Sequence, residues 1–482
     1  MGRRKSASHC EITFQAIDGA GERAPKCCAV RLKVRMTDKP DISRLTDRVT
    51  ALVEAARRAG ADAADAVAIL GRSSSVSVRL GKVESTDASE GDDISLRAFV
   101  GKRVASVSAT MSSDPRVMAE RAVAMARVSP EDPYQGLADP SLLATDIADL
   151  DLFDDRSVSA AELKDAALAM EEAALAVKGV SNSSGAGASA GYGGLVLATS
   201  HGFVGSYAAT RFGRSVSAIA GEGALMERDY DFSSRLHFTE LEDPITIGRN
   251  AGERAVRRLN PRKAATGIVP VIFDPRVARG VAGHIAGAIN GASVARKTSF
   301  LRDMMGKKIA SVGISVTDVP MKKRGPSSRP FDGEGVVGAP LIMVDKGVLQ
   351  HWFLSTSTAR ELGLTTNGRG ARASSSVNPS STNLAIEPGD ISPEEMIRDI
   401  KSGFYVTELI GQGVNMVTGE YSRGATGFWI ENGELAYPVS EVTIASNLKD
   451  MFLSMIAAND IDRNFGVASP TLFMGNMTLA GA

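Results

Sequence analysis

The clearest signal in the chain is a change of hydrophobic period. Over residues 41–60, Leu45, Val49, Leu52 and Ala56 recur at helical spacing, with Ser43 placed to cap the start and Gly60 to end it. The period then drops to two. Ser75 to Leu80, Ile94 to Val100 and Val104 to Ser108 alternate apolar and polar positions around turns at Gly81 and Gly101, which predicts antiparallel strands. Asp114-Pro115 opens a second helix through about Arg127, with proline where a first helical turn tolerates it. Ser129-Pro130-Glu131-Asp132-Pro133 is a proline-punctuated linker, and an acidic stretch around Asp151, Asp154 and Asp155 leads into a helix at about 159–176.

Strand-like stretches follow at 194–199, 202–207 and 215–220, then a helix at about 244–259 that stops before Asn260-Pro261. Val269 to Phe273 reads as a buried strand, and Asp274-Pro275 starts a helix through about Asn290. The last third is a meander, with turns at Asp345-Lys346-Gly347 and at Asn432-Gly433, a strong hairpin signal. The pattern predicts an α+β protein: an N-terminal α/β domain with helices on an antiparallel sheet (36–150), a central domain (151–262), and a large, mostly antiparallel, barrel-like or sandwich-like β domain with a few helices (263–482).

Composition narrows this picture. With 482 residues the chain is long enough for two or three domains, and a net charge of −1 gives no electrostatic reason to expect a nucleic-acid partner. Aromatics make up only 5% against 48 glycines, which favours tight turns and close packing over aromatic-lined pockets. No uninterrupted apolar stretch reaches the length of a membrane span, and the basic Arg3-Arg4-Lys5 start lacks an apolar region behind it, so a cytoplasmic location is expected. Cys10, Cys27 and Cys28 all lie in the first 28 residues, leaving no disulfide framework or thiolate chemistry for the main body. Residues 1–35 read as an over-extended or disordered N-terminus, with translation expected to begin at Met36.

Few motifs carry chemistry on their own. The run Gly185-Ala186-Gly187-Ala188-Ser189-Ala190-Gly191 lacks dinucleotide-loop spacing and reads as a flexible turn. Ser446-Asn447-Leu448-Lys449 fits an S-x-x-K spacing without any companion motif. His201 is expected in a turn, and His237 and His351 as satisfied histidines. Asp332 and Glu334, flanking Gly333, could do acid–base work, but more often such a loop caps backbone donors or contacts a partner. Lys322-Lys323-Arg324 with Arg329 could meet substrate carboxylates or form a solvated face.

Several segments together resemble the TldD/PmbA family: Arg127 to Ala138, Arg329-Pro330-Phe331-Asp332-Gly333-Glu334-Gly335, Tyr421 to Glu434, Tyr437-Pro438-Val439 and Ile444 to Met451. The resemblance spans roughly residues 40 to 480, and Val294 to Leu301 is similar to the PmbA/TldE branch. The TldD branch carries H-E-x-x-x-H on a helix, with two imidazoles for zinc and a glutamate for the attacking water. The corresponding helix here reads Gly280-Val281-Ala282-Gly283-His284-Ile285-Ala286-Gly287-Ala288-Ile289, so Ile285 and Ile289 stand where the glutamate and second histidine would be. The downstream cysteine ligand of the active branch is also missing, since no cysteine follows Cys28.

The resemblance therefore implies a subunit with no catalytic or metal-binding residue and no cofactor of its own. Its partner would be a TldD-like zinc peptidase subunit, and the complex would cleave unstructured peptides. Leader-peptide removal, antitoxin degradation and modulation of gyrase-inhibitor sensitivity are the associated roles. His284, Arg296, Lys297, Asp332 and Glu334 are the residues expected to touch substrate or partner. A stand-alone, non-enzymatic peptide-binding or scaffold homodimer is the alternative, and neither nucleic acid nor membrane is expected as a partner.

Overall fold

The structure, a computed structural model, describes residues 42–373 and 375–481. The expectations for residues 1–35, for Met36 and for the three cysteines fall outside the described residues. The first half runs α1 (Ile42–Arg58), β1 (Ala63–Arg79), β2 (Lys82–Val100), β3 (Arg103–Thr110), α2 (Pro115–Val128), α3 (Ala160–Leu175), β4 (Val180–Thr199), β5 (Val204–Ala220), β6 (Glu227–Arg235) and α4 (Pro244–Arg257). The second half begins with β7 (Gly267–Phe273), α5 (Pro275–Ala288), α6 (Gly291–Ala295), β8 (Val316–Asp318), β9 (Leu341–Asp345), β10 (Val348–Leu349), α7 (Thr356–Glu361), β11 (Gly370–Ala373) and β12 (Ser376–Pro379). It closes with β13 (Leu384–Ile386), α8 (Pro393–Arg398), β14 (Ser402–Ile410), β15 (Glu420–Glu431), β16 (Glu434–Asn447), α9 (Leu448–Ser454), β17 (Ile456–Ala457), β18 (Val467–Ala468) and β19 (Leu472–Ala480).

The first six strands form one antiparallel sheet in the order β3-β2-β1-β4-β5-β6. Because β1 pairs with both β2 and β4, the expected 36–150 and 151–262 blocks share this sheet. Along β1 the even-numbered residues are apolar at both ends, with Arg72 and Ser74 between them, and two helix pairs cover that face. Ala64, Ala66, Ala68 and Leu70 pack with α1 and α2, while Val76 and Val78 pack with α3 and α4. On the opposite face Val67, Leu195, Leu197 and Phe203 receive Phe331 from the C-terminal half. A strand covered on both sides loses the clean alternation that a one-sided sheet would show.

The C-terminal half holds a five-stranded barrel. β16, β15, β14, β7 and β19 pair in turn, and β16 pairs back with β19 to close the ring. Only β7 with β14 is parallel, so the expected mostly antiparallel, barrel-like domain is what the fold contains. The smaller sheet β10-β9-β8-β13-β18 lies beside it, and α5 shares the main core with both. A charged clamp ties α4 and β6 to the barrel. Arg258, 7% exposed, reaches Glu408 at 2.6 Å and Asp229 at 3.5 Å, and Arg276 meets Asp229 at 2.8 Å. Among the described residues no helix is long and apolar enough to cross a membrane.

Several expectations need correction. Ser43 lies inside the first turn of α1 and is not its cap. Gly185 to Gly191 is not a turn but part of β4, where Ala186, Ala188 and Ala190 are buried under α3 and α4. The small side chains allow the close approach: a Cβ on Gly191 would sit 2.6 Å from the Arg72 carbonyl oxygen. Ser446 still belongs to β16 while Asn447 caps α9, its side chain accepting from the Lys449 N–H at 3.0 Å, so serine and lysine do not share a helical turn. His201 does sit in the turn between β4 and β5, and Asn432-Gly433 does join β15 to β16.

Candidate functional site

Helix α5 is set by local chemistry. Asp274 caps it, accepting from the Arg276 N–H at 2.9 Å, and Pro275 occupies the first turn. Val277, Ala278, Val281, Ala282, Ile285 and Ala288 form its buried face. Ile285 and Ile289 are 1% and 0% exposed and belong to the main core of the C-terminal half. His284 is only half-buried and lies 6.1 Å from Tyr421, ring edge to ring face at 80°. Burial, with Arg423 nearby, pushes its imidazole below the ordinary histidine range, which favours the neutral form. Gly280, Gly283 and Gly287 leave the adjacent surface of the helix as bare backbone. Among the described residues no group of three or more His, Cys, Asp or Glu side chains is placed to hold a metal ion.

The other predicted residues meet at the junction between the first sheet and the C-terminal half. Phe331, 1% exposed, is wedged edge-on against Phe203 and Tyr207, with ring centroids at 5.0 and 5.3 Å. This anchors the loop behind it. Asp332 is 2% exposed; its carboxylate accepts from the N–H groups of Glu334 (2.8 Å), Val336 (3.0 Å) and Gly370 (2.8 Å). Expected as a contact for substrate or partner, Asp332 is instead spent inside the protein fixing a turn. Gly370 is required there, because a Cβ would approach the Asp332 and Glu334 carboxylates to 3.0 and 2.9 Å.

Glu334, 5% exposed, accepts from the Thr356 N–H at 2.7 Å. Burial and the neighbouring Asp332 carboxylate push it up to about 7, against the pull of Arg97. Behind it stands a buried ionic group that sequence reading missed. Asp65 on β1 faces Arg97 on β2 across the ladder, bonded through Nε at 3.0 and 3.1 Å and through Nη2, and it also meets Arg372 of β11 at 2.8 Å. Burial alone would raise the Asp65 carboxyl, but Arg372 and Arg97 hold it below its usual range. One acid thus joins two guanidinium groups from the two halves of the chain.

Arg296 and Lys297 close α6. Both are exposed, and Lys297 adopts a left-handed backbone with φ 58°, which ends the helix. Arg296 lines a cavity of 410 Å³ that also takes in Glu334 and Arg97, so two of the predicted residues share one space. His284 does not line it, and neither does Lys297. His237 is a satisfied histidine, as expected: its Nε2 lies 2.9 Å from the Asp151 carbonyl oxygen, with the Asp154 carboxylate 3.9 Å from its Nδ1.

Comparison with known proteins agrees with this architecture. The PmbA/TldA metallopeptidase family is matched in three consecutive stretches: domain 1 at residues 64–126, the central domain at 153–259 and the C-terminal domain at 266–481. Metalloprotease PmbA of Escherichia coli O157:H7 is 39% identical over 412 residues, covering 84% of this chain and 90% of that protein. A crystal structure of a putative modulator of DNA gyrase from Bacteroides thetaiotaomicron superposes with a TM-score of 0.83 at 27% identity, covering 90% of this chain and 98% of that one. TldE from Thermococcus kodakarensis shares the fold, with a TM-score of 0.79 at 21% identity over 89% of this chain and 99% of that one. The fold and the matched stretches are those of a metallopeptidase-type protein. The chain belongs to the PmbA/TldD family.

Proposed function

We propose that this chain is the zinc-free subunit of a two-component metallopeptidase, working with a TldD-like partner that supplies the metal and cleaving largely unstructured peptides in the cytoplasm. The observation that carries this reading is the burial of Ile285 and Ile289. Zinc hydrolysis needs nitrogen, sulfur or oxygen donors and a base for the attacking water. At the two positions where the resemblance puts the base and the second ligand, this helix has hydrocarbon packed into its core. The residues present do not fit a zinc ion, and no chemical step is assigned to them.

On this reading His284 and the bare glycine backbone beside it form the surface of α5 open to a partner or a passing peptide. A neutral imidazole can donate and accept there without adding charge. The test is a pull-down and peptidase assay with a homologue from the same cell that carries H-E-x-x-x-H. Three samples are compared: this chain, the homologue and the mixture. Association and cleavage by the mixture alone are expected. Stoichiometric zinc with cleavage by this chain alone, or no association, would overturn the reading.

A further inference from the structure

The junction cavity has a character of its own. Its wall combines β2 and β3 of the first sheet, the linker around Asp132 to Gly136, and the C-terminal half. We propose that this cavity binds an amino acid or very short peptide carrying both a free ammonium and a free carboxylate group. The inference goes beyond the subunit reading, because it concerns a ligand held by this chain alone.

The argument is one of charge and size. Two charged side chains on the wall are more than nine-tenths buried: Glu334 at 5% exposed and Arg97 at 6%. Arg97 is committed to Asp65, and the Glu334 carboxylate is held by Thr356, whose N–H it accepts at 2.7 Å, with Arg97 close enough to pull on it. Arg296 and Glu361 are exposed on the same lining, and neither forms an ion pair among the described residues. Among the described residues the cavity thus presents one free cation, Arg296, and one free acid, Glu361, in one space with the hydrogen-bonded carboxylates of Asp132 and Glu334, and most of the remaining lining is hydroxyl or amide.

That set selects among ligands. A phosphate would meet Glu334 and Glu361, and a polyamine would meet Arg296 and Arg97; each leaves a like charge facing it. An apolar ligand would strip water from charged groups with nothing in return. A zwitterion satisfies both signs, its carboxylate on Arg296 and its ammonium on Glu361, with the oxygens of Glu334 beside it. The volume of 410 Å³ lies near the small end of the roughly 300–1,000 Å³ typical of ligand sites, which fits one or two residues and not a long peptide.

Calorimetric titration of the full chain tests this with alanine, dialanine, N-acetyl-dialanine, dialanine amide and a capped ten-residue peptide. Saturable binding of dialanine or alanine is expected, and the tighter of the two identifies the source. Capping either terminus should weaken binding about tenfold or more, the worth of one charge-assisted hydrogen bond. Arg296→Ala and Glu361→Gln should each do the same, with ligand-free melting unchanged because both side chains are exposed. No saturable heat with either free ligand, equal binding of the capped peptides, or indifference to both substitutions would overturn the proposal. Since no partner is present, such a failure leaves the two-component reading standing.

Discussion

Helix α5 and the sheet junction are the two places where chemistry could reside, and they are built on opposite principles. In α5 the two positions that the resemblance sets against zinc-site donors are buried isoleucines, and the one histidine stands half-buried beside a tyrosine. At the junction the interior is ionic: Asp65, Arg97, Arg372, Asp332 and Glu334 are buried together, bridging the two halves of the chain. Burying charge is costly unless each group is paired, whereas burying isoleucine is favourable by itself. The buried face of the helix is hydrocarbon core. The junction keeps polar groups at a cost that packing alone would not require.

The largest expected effect comes from trying to reverse that contrast. Ile285→Glu with Ile289→His restores the residue types of an H-E-x-x-x-H helix at positions 1% and 0% exposed. An unpaired carboxylate there should cost about 4–5 kcal/mol or more, enough to leave little folded protein in urea denaturation. A folded double variant that binds zinc stoichiometrically would show instead that these positions can open to a cleft. Somewhat smaller is Asp65→Asn, which leaves Arg97 and Arg372 buried without their shared acid. A loss of about 3 kcal/mol is expected, and a loss under 1 kcal/mol would mean the pair is dispensable.

Next comes pH. Glu334 sits at about 7 in the folded chain against 4.5 for an ordinary glutamate, so between those values the folded state holds a proton that the unfolded state has released. Its contribution therefore falls as pH rises from about 4.5 to 7 and is flat above. Asp65, held below its ordinary 3.8, works in the opposite sense and only under that pH. Glu334→Gln should flatten the melting profile between about pH 5 and 7. If the wild-type slope persists in that variant, another group carries it.

The contrast between the two regions also explains what could be read from sequence. Helix starts at Asp114-Pro115 and Asp274-Pro275 and the Asn432-Gly433 hairpin were legible because cap and turn chemistry is local. The apolar character of Ile285 and Ile289 was equally plain, and what the structure adds is their burial. The glycine–alanine run in β4 misled because its composition resembles a loop, although its alternation has the strand period. The Asp65–Arg97 pair was invisible: the two are 32 positions apart and meet only once the register of β1 and β2 is known. The burial of Asp332 and Glu334 depends on which surface Phe331 enters, and no local pattern specifies that.

The smallest effect separates backbone from side chain at Lys297. This residue was expected to touch substrate or partner, yet it lies outside the junction cavity and ends α6 with φ 58°, a conformation that costs a side-chain-bearing residue energy. Its carbonyl accepts from Arg302 Nη1 at 3.2 Å, which helps hold the turn, while its ammonium forms no ion pair among the described residues. Lys297→Gly keeps the turn, relieves the backbone, and loses some of the gain to the greater freedom of the unfolded chain, for a net stabilisation of about 0.5–1 kcal/mol. If the position is occupied for its backbone, the variant should melt slightly higher and still associate with the H-E-x-x-x-H partner. A higher melting temperature combined with weaker association would assign the ammonium group to the partner interface, and a lower one would mean that the lysine side chain itself supports the turn.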